Sequence, residues 1–288
     1  MESGGEMKVA ILGATGMLGS MVHRYLSQQP GYELTCPSRL EMPAENNFPR
    51  FFFEFLSGKD YVINCIGVIK SRIIESNPAS VRDAIQVNAM FPHHLVHAAE
   101  WAKCKVIQIA TDCVYSGFEG PYNELSQHDP TDVYGKTKSL GEVRSPNVNH
   151  LRCSIIGPEQ KGHLSLLDWL LNQPQGAKVC GYTNHLWNGV TTLAFAKLCH
   201  GIMSKQLELS HVQHVVPLNV ATKAELLSHF NYFYHRNDIQ IEYVVAPVAI
   251  DRTLSTLDAK KNQELWQAAG YDEPPYIQQM IEELANYQ

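Results

Sequence analysis

The amino-acid sequence predicts an α/β fold built on a doubly wound parallel sheet, followed by a smaller lobe. Short apolar runs alternate with longer segments of helical spacing through the first half of the chain. The runs are apolar almost throughout rather than at every second residue, as strands covered by helices on both faces are. The first run ends at a glycine and passes straight into a helical segment.

Residues 8–12 (KVAIL) read as the first buried strand. Residues 17–28 read as a helix, with Met17, Leu18, Met21, Val22, Tyr25 and Leu26 at helical spacing. Residues 33–36 and 61–66 (YVINCI) give the second and third strands, and residues 79–102 a long helix. Residues 105–110 (KVIQIA) are the fourth strand, 132–143 a helix and 150–155 the fifth strand. After about Gly157 the rhythm changes. Residues 164–171, 191–202, 221–230 and 275–287 read as helices, and 212–216 and 241–245 as strands. The chain thus divides into residues 1–157 and residues 158–288, the second part being mainly a lobe interleaved with the last elements of the sheet. No clean linker separates them. In the last helix Met280, Ile281 and Leu284 recur at helical spacing, as in a helix docked on its own domain.

Composition narrows the function. With 288 residues, 44% of them hydrophobic, the chain can bury a sizeable core. A net charge of −6 and the absence of a long basic run argue against nucleic-acid binding. No apolar run is long enough to insert into a membrane. Residues 1–6 read as a flexible leader without the basic and apolar regions of a signal peptide. The seven cysteines form no CxxC pair, which fits reduced thiols in the cytoplasm. His93, His94 and His97 have spacings that can bind metal, but no Glu or Cys stands beside them at ligand spacing. They read as a polar helix face, and no metal is expected.

Between the first strand and the first helix lies Gly13-Ala14-Thr15-Gly16-Met17-Leu18-Gly19. Glycines at such a turn let the backbone approach a pyrophosphate, and the helix behind it aims its amides and positive dipole end at the anion. The alternative is an ordinary glycine-rich turn. At a βα junction the loop predicts a dinucleotide site and a Rossmann-type sheet. The second strand ends Thr35-Cys36-Pro37-Ser38-Arg39 without the acid that holds NAD ribose hydroxyls. Ser38 and Arg39 suit a 2′-phosphate, so NADP(H) is preferred over NAD(H); Arg39 as a plain loop arginine stays open. Cys65, Ile66 and Gly67, at the end of the third strand, are placed to line the cofactor.

Tyr134 and Lys138 lie four apart on a predicted helix and so share one face. A free tyrosine has a pKa of about 10. A neighbouring ammonium lowers it, and Tyr134 can then serve as a general acid towards a carbonyl receiving hydride. Lys138 can also bind the nicotinamide ribose. Such a pair also occurs by chance. Its context is the fourth strand, which ends Ala110-Thr111-Asp112-Cys113-Val114-Tyr115-Ser116-Gly117. Ligands of open α/β sheets bind beyond such strand ends, which places Thr111 at the substrate carbonyl.

These segments, with Asn64, Val87-Asn88 and the run from Tyr134 to Glu142, resemble the extended short-chain dehydrogenase/reductases. Within them the sequence looks like the dTDP-4-dehydrorhamnose reductase branch and related nucleotide-sugar reductases. The resemblance implies Thr111, Tyr134 and Lys138 as the catalytic set and hydride delivery from NADPH to a sugar C4 ketone. It implies a nucleotide-sugar substrate and a role in surface polysaccharide precursors. It assigns Gly13, Thr15, Gly16, Met17, Leu18 and Gly19 to the cofactor, and Asn88 to the cofactor side of the site, with a backbone-bonded helix residue as the alternative. Asp112, Cys113, Val114 and Tyr115 face the substrate; Trp187, Asn188 and Arg252 are candidate contacts to the nucleotide or its phosphates, each with a structural role as the alternative. Cys113 matches the position where related epimerase/reductases exchange a proton beside the ketone. A second acid/base would then come from Lys161 or His163. A buried, inert thiol is the alternative. Relatives that became non-catalytic NADP-binding regulatory subunits provide another, and a homodimer through helices is a further implication of the resemblance.

Overall fold

The computed structural model describes residues 5–39, 41, 44 and 49–287. The leader expected over residues 1–6 lies mostly outside them. The first half runs β1 (Met7–Leu12), α1 (Met17–Leu26), β2 (Tyr32–Thr35), α2 (Pro49–Leu56), β3 (Tyr61–Asn64), α3 (Pro78–Ile85), α4 (Phe91–Ala102), β4 (Lys105–Ala110), α5 (Val133–Leu140) and β5 (Val148–Arg152). The second half runs β6 (Ile155–Ile156), α6 (Leu166–Leu171), β7 (Lys178–Tyr182), β8 (His185–Trp187), β9 (Val190–Thr191), α7 (Thr192–Ser204) and β10 (Val212–His214). It closes with β11 (Ala221–Thr222), α8 (Lys223–Phe233), β12 (Gln240–Val244), β13 (Ile250–Asp251), α9 (Ala259–Ala268) and α10 (Ile277–Asn286).

Six parallel strands form the main sheet in the order β10-β5-β4-β3-β1-β2. Successive side chains of a strand point to opposite faces. Val9, Ile11, Ile63, Ile107 and Leu151 enter one apolar core with α1 and α7. Ala10, Leu12, Val62, Val106 and Val148 enter the other with Phe52 and Leu56 of α2 and Phe91, Leu95 and Val96 of α4. Both faces are therefore covered, which is why the strands read as continuous apolar runs. The strand order reverses between β1 and β3, and their C-terminal ends open a crevice there.

Several elements differ from the sequence reading, which gave none for α2, β7, β8, β9, β13 or α9. The aromatic segment of α2 forms a helix because Phe52 and Leu56, one turn apart, are fully buried beneath Phe91, whose ring lies 5.6 Å from that of Phe52. The long helix predicted over residues 79–102 is interrupted by a π turn, Gln86–Met90, which carries Asn88. β10 belongs to the main sheet although it follows the small sheets of the second half. In those, β7 pairs with β12, β8 lies between β11 and β13, and β6 pairs with β9. Ile277, Met280, Ile281 and Leu284 of α10 are buried in the same core as α7, so this helix docks on its own chain. Among the described residues no helix is long and apolar enough to cross a membrane.

Candidate active site

The crevice holds a cavity of about 400 Å³. Its nucleotide end is set by backbone sterics. Gly13 has φ +77°, and a side chain there would press on Ile66 and Cys65. A side chain at Gly19 would collide with the Gly13 carbonyl, so only glycine lets α1 pack this closely on the turn. The α1 N-cap is Gly16, whose amide donates to the Gly13 carbonyl at 2.9 Å, and no side chain caps the helix. The first-turn amides thus lack a side-chain acceptor, which suits an anion. Gly16, Met17, Leu18, Cys65, Ile66 and Gly67 line this end, while Thr15 is exposed nearby. Ser38 and Arg39 are exposed beyond β2, and Ser38 forms a turn with Glu41 through an N–H···Oε2 bond of 2.8 Å. The loop, the uncapped helix and the small residues opposite fit a dinucleotide.

Asn88 bonds within the protein wall of the cavity. Its Oδ1 accepts from the Val68 amide at 2.8 Å, and its Nδ2 donates to the Val68 carbonyl at 2.9 Å and to Thr137 Oγ1 at 3.2 Å. Its amide makes these three bonds within the protein, as in the backbone-bonded alternative. Asn88 ties the cavity wall after β3 to the helix that carries Tyr134 and Lys138.

At the chemical end, Thr111 ends β4 and caps the short turn Asp112–Val114, accepting from the Cys113 amide at 3.2 Å and donating to Asp112 Oδ1 at 3.2 Å. Helix α5 starts at Asp132, which accepts from the Gly135 amide at 2.7 Å and pairs with Lys70 at 2.7 Å. Any side chain at Gly135 would strike the Cys113 carbonyl, so glycine brings the helix against the Thr111 turn. Tyr134, Lys138, Thr111, Asp112 and Cys113 all line the cavity.

The electrostatics reverse one expectation. Lys138 Nζ donates to the Ile109 carbonyl at 3.0 Å, and burial pulls its pKa down to about 8. Burial, with Cys113 beside it, pushes Tyr134 above the ordinary tyrosine value, against the opposing influence of Thr111. Tyr134 is therefore a neutral phenol that keeps its proton. Burial, then Asp112, raises the Cys113 thiol to about 12. The Asp112 carboxyl is also raised by burial, against Arg252 and Lys223.

Several predicted substrate contacts lie elsewhere. Val114 and Tyr115 are fully buried; Tyr115 stacks on Tyr122 at 4.2 Å and donates to the Asn123 carbonyl at 3.1 Å. Asn188 is buried and spends its amide on Leu254, donating to the carbonyl at 2.7 Å and accepting from the amide at 2.8 Å. None of these three lines the cavity, and the polar groups of Tyr115 and Asn188 are satisfied inside the protein. Trp187, 3% exposed, does line the cavity. Arg252 Nε donates to the Tyr115 carbonyl at 2.8 Å, behind the Asp112 turn. Lys161 and His163 are exposed outside the cavity, so neither stands opposite Cys113. Of the three helix histidines, His93 bonds the Leu140 carbonyl and His97 packs on Trp101.

The sequence reading missed Arg72, Glu159, Ser165 and Lys223, which also line the cavity. It also missed a buried network beneath it. Arg152, 1% exposed, ion-pairs with Glu142 just past α5, and donates to Tyr115 Oη (2.8 Å), His214 Nε2 (2.8 Å) and His128 Nε2 (2.9 Å). Arginine has no acceptor, so both imidazoles must present an unprotonated Nε2. Their Nδ1 protons go to the Ser255 carbonyl and to Ser139 Oγ, each at 2.8 Å.

Comparison with known proteins agrees with this architecture. The β subunit of methionine adenosyltransferase 2 from Bos taurus is 27% identical over 157 residues, 52% of this chain and 45% of that protein. dTDP-4-dehydrorhamnose reductase from Mycobacterium tuberculosis H37Rv is 28% identical over 145 residues, 49% of this chain and 46% of that protein. The chain thus spans about half the length of the curated relatives it matches. The crystal structure of dTDP-4-dehydrorhamnose reductase from Bacillus anthracis in complex with NADP has the same fold, with a TM-score of 0.78 over 97% of this chain and 98% of that one at 16% identity. The profile of the RmlD substrate binding domain matches residues 7–180, which take in the glycine loop, Thr111, Tyr134 and Lys138, and the chain belongs to that family.

Proposed function

We propose that the protein is an NADPH-dependent reductase of the 4-keto group of a nucleotide-linked 6-deoxy sugar, of the dTDP-4-dehydrorhamnose or UDP-2-acetamido-2,6-dideoxy-4-hexulose type. The observation that carries this is the meeting of Thr111, Tyr134 and Lys138 in one cavity with the uncapped start of α1. The residues at the glycine loop, Cys65 to Gly67 and Lys138 would hold the dinucleotide, and Ser38 with Arg39 would favour its 2′-phosphate. A bound nicotinamide supplies hydride. Tyr134, held as a neutral phenol, gives its proton to the carbonyl oxygen, while the Thr111 hydroxyl hydrogen-bonds the same oxygen and aligns it. Lys138, eased towards neutrality by burial, is suited to pass a proton on and restore the phenol.

The similarity to a methionine adenosyltransferase β subunit favours a second reading, a non-catalytic NADP-binding regulatory subunit. Co-purification with a larger catalytic partner, without turnover, would support it. The deciding experiment follows NADPH oxidation with dTDP-, UDP- and GDP-linked 4-keto-6-deoxy sugars, beside the Tyr134→Phe variant. Turnover on one of them that falls about 100-fold or more in the variant is expected from the loss of a general acid. NADPH binding without turnover on any sugar would remove the reductase reading.

A further inference from the structure

Lys223 is the feature of the cavity that the roles above leave unused. It comes from the second half of the chain, beyond the segment matched by the family profile, yet it lines the cavity with Thr111, Cys113, Tyr134 and Trp187. It lines the cavity beside Asp112 and Cys113, at the sugar end, and its charge interacts with both. It is only partly exposed, and among the described residues no acceptor lies within hydrogen-bond or ion-pair reach of its ammonium.

Its position in the fold is electrostatically unfavourable. Thr222 and Glu225 form a capping box, which fixes Lys223 as the first residue of α8. A cation at a helix N-terminus opposes the helix dipole. Desolvation costs it further, and its pKa is lowered chiefly by burial. A residue that breaks a local rule without an internal partner marks a functional position. Arg252, whose hydrogen bond is the one from Nε to the Tyr115 carbonyl, adds a second positive charge behind the same turn.

We propose that Lys223 is a substrate-contacting residue whose ammonium binds an anionic oxygen carried close to the reacting carbonyl, either on the sugar-proximal phosphate or on a sugar carboxylate. This rests on the nucleotide-sugar reading above and adds the residue that selects the charge. Such an anion would supply the acceptor that no described protein group within reach of the ammonium provides.

The test is calorimetric and needs no turnover. The NADPH-loaded protein is titrated with UDP-glucose, UDP-glucuronic acid, dTDP-glucose and GDP-mannose, as wild type, Lys223→Met and Lys223→Arg. NADPH affinity, read on the opposite wall, certifies that each variant is folded. The expected result is a loss of about 10- to 100-fold in Lys223→Met, as for removal of a charge-assisted hydrogen bond, with affinity largely kept in Lys223→Arg. An equal loss for UDP-glucose and UDP-glucuronic acid assigns the contact to phosphate; a loss confined to UDP-glucuronic acid assigns it to carboxylate. Independently of any variant, wild-type affinity should weaken as salt rises. Lys223→Met within twofold of wild type on every sugar that binds, or a salt-indifferent affinity, overturns the inference and leaves the reductase reading standing. Failure of the wild type to bind any nucleotide sugar overturns both.

Discussion

Replacing Arg152 by methionine tests whether the buried network under the cavity holds the catalytic helix in place. The change keeps much of the side-chain volume but removes every polar contact. Glu142, whose side chain is 9% exposed, would lose its ion partner, and His128 and His214 would lose the donor to Nε2. Tyr115 would keep its bond to the Asn123 carbonyl. Removing one partner of a buried ion pair costs about 3–5 kcal/mol. Each buried acceptor left without a donor adds about 1–3 kcal/mol, though neighbouring losses do not simply add. A destabilisation of about 4 kcal/mol or more is therefore expected, a large part of the 5–15 kcal/mol typical of a folded protein. Urea unfolding followed by circular dichroism measures it, and an unchanged slope with denaturant would show that compactness is preserved. The double variant Arg152→Met/Glu142→Gln should lose less than the sum of the two single variants, because the uncompensated carboxylate is then absent. A loss below about 1 kcal/mol, the level of a surface ion pair, or strictly additive single effects, would refute the reasoning.

The same network gives a pH dependence. Burial, then Arg152, takes His214 from 6.5 down to about 4, and burial takes His150 to about 4 as well. The unfolded chain binds more protons between those values, so this stability is complete above about pH 6.5 and is lost as the pH falls towards about 4; stability that rises on acidification through that window would contradict it. Gly19→Ala should weaken NADPH binding, read by fluorescence titration, and cost about 1–3 kcal/mol of stability, because the added methyl meets the Gly13 carbonyl. Asn188→Ala should cost about 1–3 kcal/mol in unfolding free energy through its lost bonds to Leu254 while leaving KM for the sugar unchanged. A raised KM at full stability would return Asn188 to the substrate.

What the sequence determined by itself is the part of the molecule governed by short range. The apolar runs fixed the strands because a strand covered on both faces has nowhere to place a polar residue, and the glycine loop was legible because a tight turn next to an uncapped helix leaves glycine as the residue that fits. Tyr134 and Lys138 could be paired from spacing because one helical turn brings them to one face. The tertiary structure decided what those groups experience. Burial governs Tyr134, and burial is a sum over residues from the whole chain. Asn88 and Asn188 look like ligands in a string of letters and are structural ties in the fold, because their partners, Val68 and Leu254, are distant in sequence. α2 forms because Phe91 covers it. Lys223, the first residue of α8, joins the cavity only when the second half of the chain folds against the first. Local spacing reports which face a side chain is on, whereas desolvation, pairing and access depend on what the other half of the chain brings to that face.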